Sequence, residues 1–596
     1  MLSRRVRGGR SIPGWAWALV IYAVAAATLV GRQAIADPAH ECLCLGPNGD
    51  PPFFMWALKW WPYAVSHHLN PFYTDLVWYP GGANIATTTG IPGVAIVLWP
   101  VTSLFGPLVS YNLAAFLSPV LASLAAYALC GHVTSRRWPS VVGGFLFGFS
   151  SYELAQLTSH LQVALVFLVP VIVLVILRRH ERVSSRGRFV LTLATVLAGQ
   201  VLISTEVTFD IVLLGGIGLL VWWCVAGRAD RRGVVALTGE IAAAGLLAVA
   251  VVSPYLYWAV IEGNIANYGQ VVGTIFAERY RLDLLNLFVP THLTWLGGQA
   301  FFGISSRYDG GNPVEAGGYL GIPVLLLLVG FARATWRARS TRFLLVMSAV
   351  TVILAFGPRL SHGSQTFVRL PWILVENAPA FRAILPTRLV LFLGLIAAVA
   401  VALELSRTRR RPWLAWVLVL AGVVALVPSQ SGPLWHSRPP GIPLVLAKAT
   451  TYLPALGSVL MVPVGQFGSS MYWQAEAGFD FRLANGRVAL VLPPEYGTEK
   501  ASLFMANDVG PPPHAWLRDF LTAHQVTAVV VGPDPLLRRR WDTALRLFGL
   551  QPAQIGEEAV YYVCGIPTAA GSCEHLTVPA LPPVNALLLS TPVAGP

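Results

Sequence analysis

Four carboxylates lie in one long polar segment between hydrophobic runs: residues 32–90 contain Asp37, Glu41, Asp50 and Asp75. A carboxylate is a common general base for a reaction in which a hydroxyl group attacks a carbon atom. Loops within a membrane region are normally short, and a polar loop of this length is more often functional than a simple connector. The segment therefore indicates chemistry at a membrane surface.

The composition identifies the class of protein. The 596 residues are 55% hydrophobic and 12% charged, with a mean hydropathy of +0.62, which is typical of an α-helical polytopic membrane protein. The formal net charge is +13, but the arginines occur in short clusters between apolar runs and not on one basic face. Nucleic acid is therefore excluded as a partner, and the lipid bilayer is expected to be one.

The arginine clusters predict the topology. Four arginines precede the first apolar run, and five later clusters follow at 136–137, 178–188, 228–232, 333–342 and 407–411. The positive-inside rule places all of them in the cytoplasm. All the clusters can face the cytoplasm only if the apolar run 91–106 does not cross the membrane. Prolines interrupt this run, and we interpret it as a re-entrant or juxtamembrane helix.

About eleven transmembrane helices result, with a cytoplasmic N-terminus. They are predicted near 14–31, 107–130, 139–155, 162–178, 188–204, 208–226, 234–258, 317–333, 341–357, 384–405 and 412–428. The membrane domain is thus 1–428, with large external loops at 32–106 and 259–316. The remainder of the chain is expected outside.

The C-terminal part differs in character. Short apolar runs at 458–464 and 526–532 predict strands, Asp534 and Pro535 suit the start of a helix that ends near Gly549, and 559–563 predicts another strand. This alternation indicates a small extracytoplasmic α/β domain at 429–576. Residues 577–596, rich in proline and leucine, are expected to be a disordered tail.

Four cysteines fall on the predicted external side, where disulfides persist. A bond between Cys564 and Cys573 is one expectation, and a bond from Cys42 or Cys44 to the C-terminal domain is the alternative. Cys42 and Cys44 would be strained against each other.

Asp50 directly precedes Pro51 and an aromatic segment, 53–63, that suits the lipid headgroup region. An Asp before a Pro is a common helix start, and an Asp at the water–lipid boundary also suits a catalytic base. Residue type alone supports the cap and the base equally.

Several passages resemble uncharacterised bacterial membrane proteins that are grouped with the GT-C-class glycosyltransferases. The resemblance covers most of 15–430 and rests on Gly49-Asp50-Pro51, Trp60-Trp61-Pro62, the passage from His68 to Asp75, the passage from Tyr79 to Asn84, Tyr111-Asn112-Leu113, Ser159-His160-Leu161 and Leu385-Pro386-Thr387-Arg388. It implies a GT-C-like enzyme that transfers a sugar from a polyprenyl-phosphate donor to an extracytoplasmic glycan, lipid or protein. Members of the class share seven helices, large first and fourth external loops, and a catalytic acidic residue in the first loop.

The resemblance also implies roles for residues. Asp50 is the preferred base for an inverting displacement, and Asp37, nearer the end of the first helix, is the alternative. Asp75, His160 and Glu206 are the candidates for substrate binding. The alternative for Asp75 is a solvated turn residue, and the alternative for His160 and Glu206 is an interfacial helix cap.

Arg388 and Arg382 are the candidates for stabilising the negative charge on the departing phosphate. The alternative is that these side chains extend to the phosphates of membrane lipids. A divalent cation is the other candidate for this role, although the external loop 259–316 contains no metal-ligand spacing. No further cofactor is expected.

Two other classes of function stay open. A transporter or flippase for a lipid-linked precursor would be expected to show an internal repeat and ionisable groups near mid-membrane, neither of which is evident. A non-catalytic envelope scaffold is the other. Lysine occurs only at Lys59, Lys448 and Lys500, a bias typical of GC-rich bacteria, so the expected location is a bacterial, actinobacterial-like plasma membrane and the expected process is cell-envelope glycan biosynthesis.

Overall fold

A computed structural model describes residues 14–46, 49–263, 277, 279–298, 300–308, 313–363, 365–378, 381, 384–407, 412–429, 435–454, 457–463, 469–486 and 514–563. The described residues fall into two compact units. The first comprises 14–72 and 84–439, and the second comprises 73–83, 440–486 and 514–563, each with the gaps given above.

The first unit is a bundle of helices. Its α-helices are Gly14–Leu29, Arg32–Ala36, Pro51–Ser66, Pro92–Val97, Trp99–Thr134, Arg137–Gly148, Ser151–Gln156, Leu161–Ala164, Leu168–His180, Arg186–Ile203, Thr205–Val225, Arg228–Val251, Ser253–Leu256, Phe302–Ser305, Ile322–Thr335, Arg339–Ala355, Val390–Ser406 and Pro412–Ala425. Its shorter turns are the 3-10 helices Ile85–Thr87, Pro313–Glu315, Pro371–Leu374 and Pro386–Leu389 and the π-helix Tyr257–Glu262.

Six helices among the described residues are long and apolar enough to cross a membrane: Trp99–Thr134, Leu161–His180, Arg186–Ile203, Thr205–Val225, Asp230–Val251 and Pro386–Ser406. Three shorter apolar helices are Gly14–Leu29, Ile322–Thr335 and Pro412–Ala425. Each of the eleven predicted ranges contains a helix, but the range 139–155 is split, and its longer piece, Arg137–Gly148, rises only about 18 Å. The protein is therefore a multi-pass membrane protein, and the count of eleven spans stays a prediction.

The proline-rich run 91–106 does not form a separate spanning helix. Pro92–Val97 is a short helix, and Trp99–Thr134 is broken at Gly106, whose φ of 85° and ψ of 170° are not helical. The stretch 99–105 before this break rises about 10 Å, against about 30 Å for a hydrocarbon core. It is too short to cross a bilayer by itself.

Small residues allow the helices Trp99–Thr134 and Arg137–Gly148 to pack closely. A Cβ on Gly144 would lie 2.6 Å from the carbonyl oxygen of Ser123, and a Cβ on Gly148 would lie 2.1 Å from the Ser123 hydroxyl. This spacing of two glycines four residues apart is a common contact between membrane helices. The helix Val390–Ser406, largely buried, packs against both of them.

The second unit contains a four-stranded sheet. Ser458–Val462 pairs in parallel with Val526–Val531, which pairs antiparallel with Glu558–Tyr562, which in turn pairs antiparallel with Pro552–Ile555. Every residue of Val526–Val531 is buried, as a central strand covered on both faces requires. The α-helices of this unit are Leu444–Ala447, Ala449–Tyr452, Ser470–Glu476, His514–Ala523 and Pro535–Arg546.

Two short strand pairs, of which the pair Arg359–His362 with Gln365–Arg369 is antiparallel, complete the strands. Tyr73–Thr74 pairs with Ala83–Asn84, and Arg359–His362 pairs with Gln365–Arg369. The second pair belongs to the first unit, and we call it the 359–369 hairpin.

The disulfide differs from the expectation. Cys42 and Cys44 are bonded to each other, with their Cα atoms 5.3 Å apart, a separation that lies within the range of ordinary disulfides. The chain bends between them, which brings the two Cα atoms to this distance. Cys564 and Cys573 lie outside the described residues.

Candidate active site

Arg388 lies at the centre of a cluster of charged side chains in the first unit. It belongs to the 3-10 turn Pro386–Leu389, which leads into the helix Val390–Ser406, and it is only 7% exposed. Its Nη1 donates to Glu206 Oε2 at 2.6 Å, its Nε donates to Glu315 Oε2 at 3.1 Å, and its Nη2 donates to Glu315 Oε1. A buried arginine requires such partners because an unpaired charge would lose its hydration.

Local structure positions the two carboxylates. Glu206 lies in the first turn of Thr205–Val225, which the Ser204 side chain caps by accepting a hydrogen bond from the Val207 amide at 3.2 Å. Glu315 ends the turn Pro313–Glu315, and its carbonyl oxygen accepts a hydrogen bond from Thr387 Oγ1 at 2.9 Å. The turn that carries Glu315 is therefore bonded to the turn that carries the arginine.

The ionisation of Glu315 follows from its neighbours. Burial by itself raises the pKa of this carboxyl, but the charges of Arg388 and His160 and the hydrogen bonds from Arg388 and Gln156 outweigh burial. They hold the pKa of Glu315 below its usual value. Glu315 is therefore an anion at neutral pH.

His160 connects the arginine cluster to Asp50. Its Nδ1 lies 2.9 Å from Gln156 Oε1, and its Nε2 lies 3.4 Å from Asp50 Oδ2. Since the Gln156 amide nitrogen donates to the Val314 carbonyl oxygen at 3.0 Å, the Gln156 oxygen faces His160. Nδ1 therefore lies on the side of Gln156 and Glu315, and Nε2 faces the carboxylate of Asp50.

Asp50 is the residue before the first turn of Pro51–Ser66. Its side chain makes no capping hydrogen bond and is 23% exposed. The carboxylate faces His160 instead. The side chain thus does not act as a helix cap, and a partly exposed carboxylate lies beside a histidine. The role of Asp50 as a base stays a prediction.

One donor of Arg388 is unused within the part of the chain that the structure describes. A guanidinium has five N–H groups. Three donate to Glu206 and Glu315, and one on Nη2 points at His160 Nδ1 at 3.4 Å. The second N–H of Nη1 is left over and could reach a further oxygen.

The other sequence candidates lie elsewhere. Asp37 is bonded to His40 at 2.7 Å and lies 3.6 Å from Arg438, in an ion-pair group that does not include Asp50. Asp75 belongs to the second unit, where its Oδ2 lies 3.5 Å from Arg482 Nε. Arg382 lies outside the described residues.

Two members of the site were missed. Glu315 lies in the predicted loop 259–316, to which the sequence assigns no site residue, and Gln156 carries no predicted role. Arg388 was the feature that could have indicated them, because an arginine within a membrane protein requires carboxylate or other polar partners. No group of three His, Cys, Asp or Glu side chains among the described residues is arranged to hold a metal ion.

Comparisons with known proteins agree with this architecture. A family model described as a domain of unknown function, DUF6311, matches residues 19–427. No protein with a curated description matches the sequence.

Solved structures give a clearer similarity. The archaeal oligosaccharyltransferase AglB from Archaeoglobus fulgidus, solved with an inhibitory peptide and a dolichol-phosphate, aligns with a TM-score of 0.52 at 12% identity, over 87% of this chain and 69% of its own. The arabinofuranosyltransferase AftD from Mycobacteria aligns with a TM-score of 0.53 at 15% identity, over 93% of this chain and 40% of its own. At such identities the similarity concerns the fold.

Proposed function

The chain belongs to the DUF6311 family and has a GT-C fold, and from this premise we propose that it is a membrane glycosyltransferase. It moves a sugar from a polyprenyl-phosphate donor to a hydroxyl group of an extracytoplasmic glycan, lipid or protein. The observation that carries this proposal is the placement of Asp50, a partly exposed carboxylate 3.4 Å from His160 in a network built around Arg388. The dolichol-phosphate bound by AglB supports the class of donor.

The proposed topology follows the arginine clusters. The protein spans the plasma membrane of a bacterium about eleven times, with its N-terminus in the cytoplasm and the unit that contains the four-stranded sheet outside. Asp50 then faces the external side, where lipid-linked sugars are used. The six long apolar helices support the multi-pass part of this proposal.

The proposed reaction is a single displacement. The acceptor oxygen forms a bond to the anomeric carbon, the bond from that carbon to the phosphate oxygen breaks, and the hydroxyl proton passes to Asp50. The polyprenyl phosphate leaves with the electron pair of the broken bond. Because attack and departure occur on opposite faces, the anomeric configuration is inverted.

His160 and Arg388 complete the proposed roles. His160 Nε2 shares the proton that Asp50 receives, and the contact of Nδ1 with Gln156 keeps the ring in the required orientation. Arg388 positions His160 and the two glutamates, and its leftover N–H reaches an oxygen of the departing phosphate. Glu206 contributes by holding Nη1 in place, at 2.6 Å.

An assay of the wild-type protein tests the reaction class. Purified protein in lipid vesicles is incubated with a panel of polyprenyl-phosphate sugars and short-chain glycan acceptors, and products are analysed by mass spectrometry and anomeric NMR. We expect release of polyprenyl phosphate and a product of inverted configuration. Translocation of an intact donor would indicate a transporter, and the absence of cleavage with every donor would favour a scaffold; either result contradicts the proposal.

A further inference from the structure

A surface cavity of about 340 Å³ lies in the first unit, beside the 359–369 hairpin. It is lined by Arg307, His362, Gly363 and Gln365. None of these residues belongs to the Arg388 cluster. We call this space the Arg307–His362 cavity.

His362 is held in one orientation by a buried aspartate. Asp283 Oδ1 and Oδ2 lie 3.0 and 3.2 Å from His362 Nδ1. The same two oxygens accept hydrogen bonds from the backbone amides of Leu285 at 2.9 Å and Gly363 at 2.8 Å. Nδ1 therefore carries a proton, and Nε2 has no partner among the residues that the structure describes.

Arg307 supplies a second unused group. It is exposed, and its guanidinium makes no ion pair or hydrogen bond within the described ranges. Gly363, with a φ of 54°, allows the close approach, since a Cβ on it would lie 3.2 Å from the Cβ of Arg307. The loop and the hairpin thus bring an arginine and a histidine to one cavity.

The surroundings add positive charge. Arg281 donates from Nε to the Ser361 hydroxyl at 2.5 Å, next to His362, and Arg359 and Arg369 face each other across the hairpin. Asp283, a carboxylate near the cavity among the described residues, is 5% exposed and already accepts hydrogen bonds on both oxygens. The cavity therefore offers donors and positive charge to a ligand, which is the environment that an oxyanion prefers.

One short segment joins this cavity to the candidate active site. The Tyr280 carbonyl oxygen accepts a hydrogen bond from the Thr387 amide at 3.1 Å, directly before Arg388. Three residues later, Asp283 holds His362. A molecule with one end in the cavity is thus bound next to the segment that supports the arginine cluster.

We propose that the Arg307–His362 cavity binds an oxyanion of the acceptor substrate, a carboxylate or a phosphate. The proposal rests on the glycosyltransferase function above and specifies its acceptor as an acidic molecule. The four lining residues that the structure describes include no apolar side chain, so they offer no wall for a polyprenyl tail. Its volume suits a single acidic sugar or a phosphate group.

Direct binding tests this proposal without turnover. The full-length protein in nanodiscs is titrated by calorimetry with glucuronate and with inorganic phosphate, and glucose serves as the neutral probe. We expect saturable binding of at least one anion, weakened by salt and absent for glucose. Arg307→Gln and His362→Gln should each weaken that binding about tenfold, whereas Arg337→Gln, a change of an exposed arginine elsewhere, should not.

Each result has a defined meaning. No binding of either anion, or equal binding by Arg307→Gln and the wild type, overturns the proposal. Competition by polyprenyl phosphate assigns the cavity to the donor and also overturns it. In a further outcome, the protein binds an anion through Arg307 and yet cleaves no lipid-linked sugar. That result would refute the glycosyltransferase function but not the anion site, so the two failures are distinguishable.

Discussion

At the scale of single residues, Arg388 organises the charges of the candidate site. It binds Glu206 and Glu315 directly and approaches His160, which in turn faces Asp50. An arginine suits this role better than a lysine because its planar fork can bind two carboxylates in fixed directions. The site therefore depends on Arg388 for its shape as well as its charge.

Removing the arginine charge should destabilise the protein. In Arg388→Gln, Glu206 and the 2%-exposed Glu315 lose their cation, and breaking a buried ion pair costs about 3–5 kcal/mol. Thermal unfolding in detergent micelles should show a clear fall in midpoint. Arg337→Gln, at an exposed position, is the control and should stay close to the wild type. Equal midpoints for both variants would show that the cluster does not support the fold.

Acid should remove the contribution of Glu315. Its pKa in the folded protein is below the usual value, so the unfolded chain binds more protons in mild acid. The stabilisation is fully present above the unfolded pKa of about 4.3 and is lost as the pH falls through the lower folded pKa. The difference in unfolding midpoint between wild type and Glu315→Gln should be large at pH 7 and should shrink below about pH 4.3. A difference that is constant over this range would contradict the assignment.

The sequence predicted part of this cluster. Asp50, His160, Glu206 and Arg388 were selected by residue type and by their predicted positions near external helix ends. Glu315 was missed because it lies in a long loop among other polar residues, and nothing local indicates that it is buried. The sequence could not show which of Asp37 and Asp50 lies beside His160, because that depends on how the fold turns each carboxylate.

At the scale of elements, close helix packing gives the cluster a rigid support. Gly144 and Gly148 bring Arg137–Gly148 against Trp99–Thr134. The next element, Ser151–Gln156, carries Gln156, which holds His160. Packing of these helices therefore bears on the orientation of the histidine.

A larger side chain at the contact should be costly. In Gly148→Val the new Cβ would lie 2.1 Å from the Ser123 hydroxyl and 2.5 Å from the Pro119 carbonyl oxygen, and such overpacking costs about 1–3 kcal/mol. Gly216→Val is the matched control, since nothing lies within 4 Å of a Cβ there. The unfolding midpoint in micelles should fall for Gly148→Val only. A similar fall for both would attribute the effect to the glycine itself.

Elements differ in how well they could be predicted. Helices follow from long apolar runs, and each predicted range contains one. The split of 139–155 was not foreseen, because the break near Phe149 and Ser150 lies within an apolar stretch without proline. The bond between Cys42 and Cys44 was also not foreseen, since it requires a local bend of the chain that spacing alone does not reveal.

At the scale of the whole molecule, the candidate site is assembled from distant parts of the chain. Asp50, His160, Glu206, Glu315 and Arg388 come from five separate segments. The arginine clusters predict a sidedness from sequence alone, whereas a constellation of this kind depends on tertiary packing. The GT-C fold supplies that packing, whereas the substrate of the proposed transfer depends on features that differ among proteins with this fold.

The rate of sugar transfer in two variants tests the central claim, that Asp50 is the base of a glycosyltransferase. Purified protein in vesicles is given a radiolabelled polyprenyl-phosphate sugar, and product is counted over time for wild type, Asp50→Asn and Asp37→Asn. Loss of a general base lowers the rate by about 10²- to 10⁴-fold, so Asp50→Asn should fall by that amount while Asp37→Asn retains most of the wild-type rate. Full activity of Asp50→Asn, or an equal loss in Asp37→Asn, would contradict the account.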